Sequence, residues 1–216
     1  MAIRSLELFE VYYDDSDALA MVCAFASLIP QIILIVYATL IFSRREMETL
    51  MLLGGQVACE VSNNILKRAI KQDRPRYGPG YGMPSAHAQF VAFLATYLCL
   101  WMFFRMRQLY SPVKRVTRSV GLVVMTLVVS YSRVHLYYHT PAQVLAGVAL
   151  GCVLGLAYFL FVSLIRDLGL VDLIVDLPIL RTFYVKDTSG DSGSFVKDEF
   201  LRWRDKRMKA RLIKVE

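Results

Sequence analysis

Residues 18–42 read ALAMVCAFASLIPQIILIVYATLIF, a stretch without a single charged side chain. A helix rises ~1.5 Å per residue and the hydrocarbon core of a bilayer is ~30 Å thick, so about 20 mostly apolar residues cross it. The stretch therefore reads as a membrane span. It is not a cleavable signal peptide, because Asp14, Asp15 and Asp17 stand where a basic region would be and the apolar run is too long. Further along, Ala88–Phe104 and Val144–Ile165 also qualify, whereas Leu50–Leu66 and Ser119–Tyr131 are shorter or more polar and need neighbouring helices to shield them. The expected fold class is all-α, a polytopic membrane bundle of about five transmembrane helices. Its spans lie near residues 18–42, 50–66, 88–104, 119–131 and 144–165, within a membrane domain over 1–180 that is followed by a basic tail over 181–216.

Composition agrees with that reading. Hydrophobic residues make up 56% of the chain, charged residues only 20%, and the mean hydropathy is +0.45; disorder, collagen and a nucleic-acid-binding arm are excluded. Five spans place the N-terminus, residues 67–86 and residues 132–143 on one side of the membrane. That side holds seven of the 25 Lys and Arg, and the other holds the rest, including Arg44, Arg45 and the group from Arg105 to Arg118. Positive charge marks the cytoplasmic side, so the first side is expected to be non-cytoplasmic and the tail cytosolic. Cys23, Cys59, Cys99 and Cys152 have no metal-ligand spacing and read as small core residues without disulfides. Gly147, Gly151 and Gly155 recur every four residues and form a smooth helical face suited to close packing within the chain. The tail has a Ser/Gly-rich hinge, Thr188 to Ser194, and then a basic stretch with Phe200 and Trp203. Two readings stand for that stretch: a helix lying on an anionic leaflet, or a solvated charged helix.

Chemistry-bearing residues gather on the non-cytoplasmic side in three clusters: Lys67 with Arg74-Pro75; Pro84-Ser85-Ala86-His87; and Ser132-Arg133 with His139. Three cations at a membrane boundary repel one another unless an anion joins them, and phosphate has oxygens for several. His87 opens a helix, where free N–H groups and the dipole also favour an anion. Two imidazoles beside such a cradle suit a nucleophile and a proton donor. His135 belongs to no cluster and reads as an interfacial or packing residue.

Taken together, these motifs resemble the three-part signature of the type 2 phosphatidic acid phosphatase superfamily, which also includes the vanadium haloperoxidases. They cover residues 67–143. Within the superfamily the chain most resembles the dolichyldiphosphatases, through Tyr131–Gln143 (YSRVHLYYHTPAQ), Leu53-Gly54-Gly55 and the acidic N-terminus. The resemblance implies that Lys67, Arg74 and Arg133 hold phosphate oxygens and that Ser85 adds a hydroxyl or backbone donor. It further implies that His139 attacks phosphorus and that His87 protonates the leaving oxygen and then activates water. No metal and no cofactor are implied. The usual glycine of the second motif is Ala86, and the usual aspartate four residues after the nucleophile is Gln143, a glutamine that the dolichyldiphosphatases share.

Two further residues are candidates for orienting a histidine. Thr140-Pro141-Ala142-Gln143 has the form of a capping box, yet the Gln143 oxygen could instead hold the His139 N–H, and one oxygen is not expected to serve both well. Gln56, Glu60, Asn63 or Asn64, and Lys67 follow a spacing of three or four, a polar stripe in the second span. Glu60 could orient a histidine, pair with Arg133, or make a structural bond between helices. The implied function is hydrolysis of an isoprenoid lipid diphosphate, dolichyl diphosphate, in the endoplasmic reticulum membrane with the active site facing the lumen. Its partners are that lipid and the bilayer, with no nucleic acid. The competing readings are a phosphatase for phosphatidate or another lipid phosphate, and a non-catalytic lipid-binding relative.

Overall fold

The computed structural model describes residues 3–6, 11–108, 110–188 and 195–212; for 3–6, 195–198 and 209–212 it describes the backbone alone. A short antiparallel hairpin, β1 (Ile3–Leu6) and β2 (Val11–Asp14), precedes the helices and is a small addition to the expected all-α architecture. The helices are α1 (Ala18–Ala26), α2 (Ile29–Arg44), α3 (Met47–Ile70), α4 (Ala86–Leu100, prolonged by a π-helical turn Trp101–Arg105), α5 (Pro112–His135), α6 (Pro141–Asp167), α7 (Leu170–Val175), α8 (Pro178–Thr182) and α9 (Phe195–Leu212). Among the described residues, three segments are long and apolar enough to cross a membrane: Ala18–Arg44, Ala86–Arg105 and Pro141–Asp167. They are the three expected to cross unaided, while α3 and α5 are the two expected to need shielding.

Two boundaries differ from expectation for physical reasons. The first run is not one helix. Pro30 has no N–H, and its ring would clash with the carbonyl of residue 26, so α1 stops at Ala26 and α2 starts after a turn at Ser27-Leu28. The break lets α1 pack on α5 while α2 packs on α3. Helix α5 begins at Pro112 rather than near Ser119, because Ser111 caps it through the Lys114 N–H and Pro112 fits the first helical position.

Helix α4 is the hub, packed against α3, α5 and above all α6. The glycine stripe explains that closeness. A Cβ on Gly151 would lie 2.4 Å from the Gln89 carbonyl oxygen, and one on Gly147 would lie 2.6 Å from that of Ser85, so the stripe is spent on packing within the chain. Stacked Phe93, Tyr97 and Trp101, met by Tyr158 and Phe159, fill the core between α4 and α6. The four cysteines are free, as expected, but Cys152 sits on the exposed face of α6 rather than in the core.

The connections lie at two ends of the bundle. At one end β2, residues 71–85 and residues 136–140 bond to one another, through Tyr12 N–H to the Tyr138 hydroxyl, Tyr77 N–H to Tyr137 O, and Ser85 N–H to Gln143 O. At the other end the part-buried Arg166 pairs with Glu48 and Asp187, Arg105 pairs with Asp167, and residue 186 pairs its backbone with Arg45 and Met47. Of the tail hinge, residues 189–194 lie outside the described residues. Among the described side chains of α9, Phe200, Trp203 and Met208 are exposed and interleaved with charged residues, which favours the solvated reading of the two.

Candidate active site

The first of these ends assembles the three clusters. Lys67 projects from the last turn of α3, and Lys71, in a left-handed conformation, turns the chain out of that helix. Arg74 follows in the loop, where its Nε donates to Gly80 O (3.2 Å). Gly78, at φ +95°, lets the guanidinium pass: a Cβ there would sit 3.0 Å from Arg74 Nη1. Ser85 is the N-cap position of α4, and His87 lies in its first turn. Arg133 lies in the last turn of α5, and its carbonyl accepts the N–H groups of both Tyr138 and His139 (3.1 Å each), which swings the nucleophile candidate back over the helix end.

His139 is the centre of the arrangement. It is 3% exposed, with Arg74 Nη1 3.2 Å from its Nε2 and Gln143 Oε1 3.2 Å from its Nδ1. The tautomer follows from the partners. Gln143 Oε1 also accepts the Thr140 N–H (3.2 Å), and Gln143 Nε2 donates to Asp73 O (2.8 Å), so the amide orientation is set by groups that cannot reverse. Nδ1 therefore carries the proton, and Nε2 presents a lone pair to the cation. Burial and the neighbouring Arg74 and Arg133 charges push the His139 pKa down to about 3, which keeps the ring neutral and nucleophilic at physiological pH.

Gln143 thus does both jobs that were set against each other in the sequence. A carbonyl oxygen has two lone pairs: one closes the capping box with Thr140, whose own hydroxyl accepts the Gln143 N–H (3.3 Å), and the other fixes the imidazole. A Cβ on Gly82 would fall 2.7 Å from that oxygen, so the loop glycine makes room for the amide.

Ser85 and Arg133 are each buried with an unmet polar atom. Ser85 is 0% exposed; its N–H is taken by Gln143 O while its Oγ has no partner among the described residues, so of the two donors foreseen only the hydroxyl is available. Arg133 is 5% exposed, its guanidinium carbon lies 4.0 Å from the centroid of the Tyr138 ring, and its Nε has no partner. Unmet buried donors are costly and uncommon. His87 has no hydrogen-bond partner among the described residues; the charged and ring groups acting on it are Arg133, His139, Lys67 and Arg74.

The polar stripe divides into two faces. Gln56 and Asn63 are buried against α4, donating to Phe90 O and to Pro84 O respectively, and Asn63 also donates to the Gln89 Oε1. Glu60 and Asn64 point outward and bond to each other. Glu60 therefore makes no bond between helices, no ion pair with Arg133 and no bond to a histidine among the described residues; the expectations for it are corrected, because it lies some 40–60° around the helix from the buried pair. It does line a largely apolar groove of about 310 Å³ between α2, α3 and α4, together with Leu34, Leu53, Val57 and Phe90, and His87 lines that groove too.

Sequence reading missed Gln89, which ties α4 to α3 through Cys59 O and Ser62, and Tyr138, whose ring carries Arg133. Both sit in apolar surroundings where no spacing rule marks them. His135 proves not to be a mere packing residue: its Nε2 lies 2.9 Å from Asp17 Oδ2, at the cap of α1, and its ring stacks on Tyr131. That bond holds the Asp17 carboxyl below its usual range.

Arg74, Arg133 and Lys67 thus gather around a neutral, tautomer-fixed histidine. Residues 48–167 match the model of the PAP2 superfamily, and the chain belongs to that superfamily. Its similarities are narrower than the superfamily. It is 36% identical to the dolichyldiphosphatase of Saccharomyces cerevisiae, with 88% of this chain and 83% of that one covered, and 35% identical to human dolichyldiphosphatase 1, with 86% and 82% covered. Among solved structures, a PAP2-type transmembrane phosphatidylglycerolphosphate phosphatase from Bacillus subtilis superposes with a TM-score of 0.58 at 22% identity, covering 68% of this chain and 78% of that one. That likeness concerns the fold.

Proposed function

We propose that this chain is a membrane phosphatase that hydrolyses dolichyl diphosphate to dolichyl phosphate and inorganic phosphate. The observation that carries the reading is the state of His139, a neutral imidazole whose Nε2 lone pair faces the cradle while Gln143 holds the Nδ1 proton. Arg74 Nη1 lies against that lone pair. Phosphate oxygens, as charged acceptors, outcompete a neutral nitrogen for the guanidinium, so substrate binding frees the nucleophile it needs.

The reaction then runs in two steps. Nε2 attacks the terminal phosphorus, the bond from that phosphorus to the bridging oxygen breaks, and His87 gives its proton to that oxygen as dolichyl phosphate departs. Water next attacks the phosphohistidine, His87 takes a proton from it, and inorganic phosphate leaves. Arg74, Arg133, Lys67 and the Ser85 hydroxyl hold the non-bridging oxygens, the electrostatic role that dominates phosphoryl transfer. The groove beside His87 supports a lipid leaving group, because it offers an apolar path from bilayer depth to the residue that would protonate the bridging oxygen.

The five spans, formed by α1 with α2, α3, α4, α5 and α6, are taken to cross the endoplasmic reticulum membrane, with the cradle lumenal, the tail of 181–216 cytosolic, and the product returned as lipid carrier for N-glycosylation. The charge asymmetry of the two ends supports this orientation; protease protection of a tag placed after Glu216 in sealed microsomes would overturn it. The deciding experiment measures phosphate release from dolichyl diphosphate by purified protein in detergent with EDTA, alongside phosphatidate. Release from the diphosphate, abolished in His139→Ala, is expected. No release from either lipid would favour a non-catalytic lipid-binding protein, and faster release from phosphatidate would change the substrate.

A further inference from the structure

Arg133 has an unusual attachment. Its guanidinium is buried, has no ion-pair partner among the described residues, and rests on the Tyr138 ring at 4.0 Å. Tyr138, 5% exposed, is itself fixed on several sides. Its hydroxyl accepts the Tyr12 N–H (2.7 Å), Tyr77 packs on it at 5.9 Å between centroids, and a Cβ on Gly78 would lie 3.3 Å from its Cδ1. The backbone closes the arrangement. Tyr137 adopts φ +57°, a left-handed conformation that costs a bulky residue roughly 1–2 kcal/mol, and this turn brings the N–H groups of Tyr138 and His139 back together onto Arg133 O. The cation, the ring beneath it and the nucleophile are thereby hung from one carbonyl.

We propose that Tyr138 is a positioning residue: its ring clamps one face of the Arg133 guanidinium and so aims the fork at the phosphorus that His139 attacks. A buried arginine without a carboxylate partner would otherwise be free to rotate about its long side chain. A carboxylate would hold it but would also neutralise it and repel phosphate. The ring's negative π-face holds the cation without consuming its N–H donors. Tyr12 and Tyr77 stack on each other at 5.8 Å and hold Tyr138 in turn, so the N-terminal hairpin buttresses the site.

This inference rests on the phosphatase reading, and the test separates the two. Full-length wild type, Tyr138→Phe and Tyr138→Leu are compared for kcat and KM on dolichyl diphosphate, and for affinity toward orthovanadate, which mimics the five-coordinate phosphorus, by the shift it causes in melting temperature. Tyr138→Leu should lower kcat about 30-fold, about 2 kcal/mol at 1.36 kcal/mol per tenfold, change KM by less than about 3-fold, and weaken orthovanadate by a similar 30-fold. Tyr138→Phe keeps the ring and should stay within about 3-fold of wild type. Tyr138→Met, closer in volume, replaces Tyr138→Leu if that variant does not fold. Loss of kcat equal in Tyr138→Phe and Tyr138→Leu, or unchanged orthovanadate affinity in the ring-less variant, overturns the clamp. A wild type that binds orthovanadate yet leaves dolichyl diphosphate intact overturns the substrate reading while the clamp is still tested by orthovanadate; failure of the wild type to bind orthovanadate overturns both.

Discussion

Replacing Gln143 by glutamate puts a carboxylate where a neutral amide now holds His139. The side chain keeps its length, so the carboxylate can still accept from Nδ1, 3.2 Å away in the native pair, and from the Thr140 N–H. With charge centres ~5 Å apart, the attraction to an imidazolium is ~0.8 kcal/mol at the permittivity of water and ~3.3 kcal/mol at an effective permittivity of ~20. At 1.36 kcal/mol per unit, that is a rise of ~0.6 to ~2.4 pH units. The sign is clear: a carboxylate favours the charged ring, so the His139 pKa climbs from about 3. The acidic limb of kcat/KM, along which the ring is protonated and lost as nucleophile, then moves upward by that amount.

A second consequence comes from the other end of the amide. Gln143 is fully buried, and its Nε2 donates to Asp73 O at 2.8 Å; a carboxylate oxygen there faces a carbonyl with no hydrogen between them. The lost bond costs about 1–3 kcal/mol, so Gln143→Glu should melt several degrees lower while remaining folded in the cold. The assay is kcat/KM against pH at low temperature, on protein whose melting has been recorded. A folded, active Gln143→Glu enzyme whose acidic limb does not move would refute the reasoning: Gln143 would then serve only to join the Thr140 cap to the Asp73 loop.

Other outcomes follow from the same geometry. His139→Ala should lower activity by more than ~10³, whereas His135→Ala, which loses a bond to half-buried Asp17, should keep activity within tenfold; equal losses would mean that both belong to the site. Ser85→Ala removes a hydroxyl that has no partner among the described residues, so melting temperature should not fall, while kcat/KM drops ~10- to 100-fold, the worth of one hydrogen bond to a charged group; a destabilised, fully active variant would make Ser85 structural. Gly151→Ala places a methyl 2.4 Å from a backbone oxygen and should destabilise by ~1–3 kcal/mol, whereas Gly121→Ala on α5 meets nothing within 4 Å and should be neutral or stabilising by up to ~1 kcal/mol. Thermal unfolding of both variants checks the pair.

The bundle and most of the site were legible in the sequence because each depends on local pattern. Charge-free runs announce spans, and helix ends keep Lys67, Ser85, Arg133 and His139 at fixed offsets from the spans they terminate. What was not legible depends on direction around a helix or on contact between distant segments. Glu60 and Asn63 share a spacing rule yet part company, because a three-residue offset leaves a turn that only packing against α4 resolves into inside and outside. Pro30 was visible, but a proline in an apolar run can kink or break a helix, and the docking of α1 on α5 decided for the break. Tyr138 looked like one more aromatic beside a histidine; its meaning comes from Arg133 five residues earlier and from Tyr12, 126 positions away.

The helix ends also explain how a cradle of cations is tolerated in the resting protein. An up-and-down bundle brings C-termini of α3 and α5 and N-termini of α4 and α6 to the same end. Lys67 and Arg133 sit in last turns, where the carbonyl ends of the helices favour a cation by about 0.3–1 kcal/mol each, before any anion arrives. The N-termini of α4 and α6, at Ser85 and Thr140, carry the opposite partial charge and favour the anion. Alternation therefore supplies both halves of the candidate site from one topology: carbonyl ends that stabilise the cations, and amide ends that favour an anion beside them. His139 stands between a C-terminus and an N-terminus, on the five-residue connection from α5 to α6, and burial together with the charges of Arg74 and Arg133 keeps that imidazole neutral, the state the proposed attack requires.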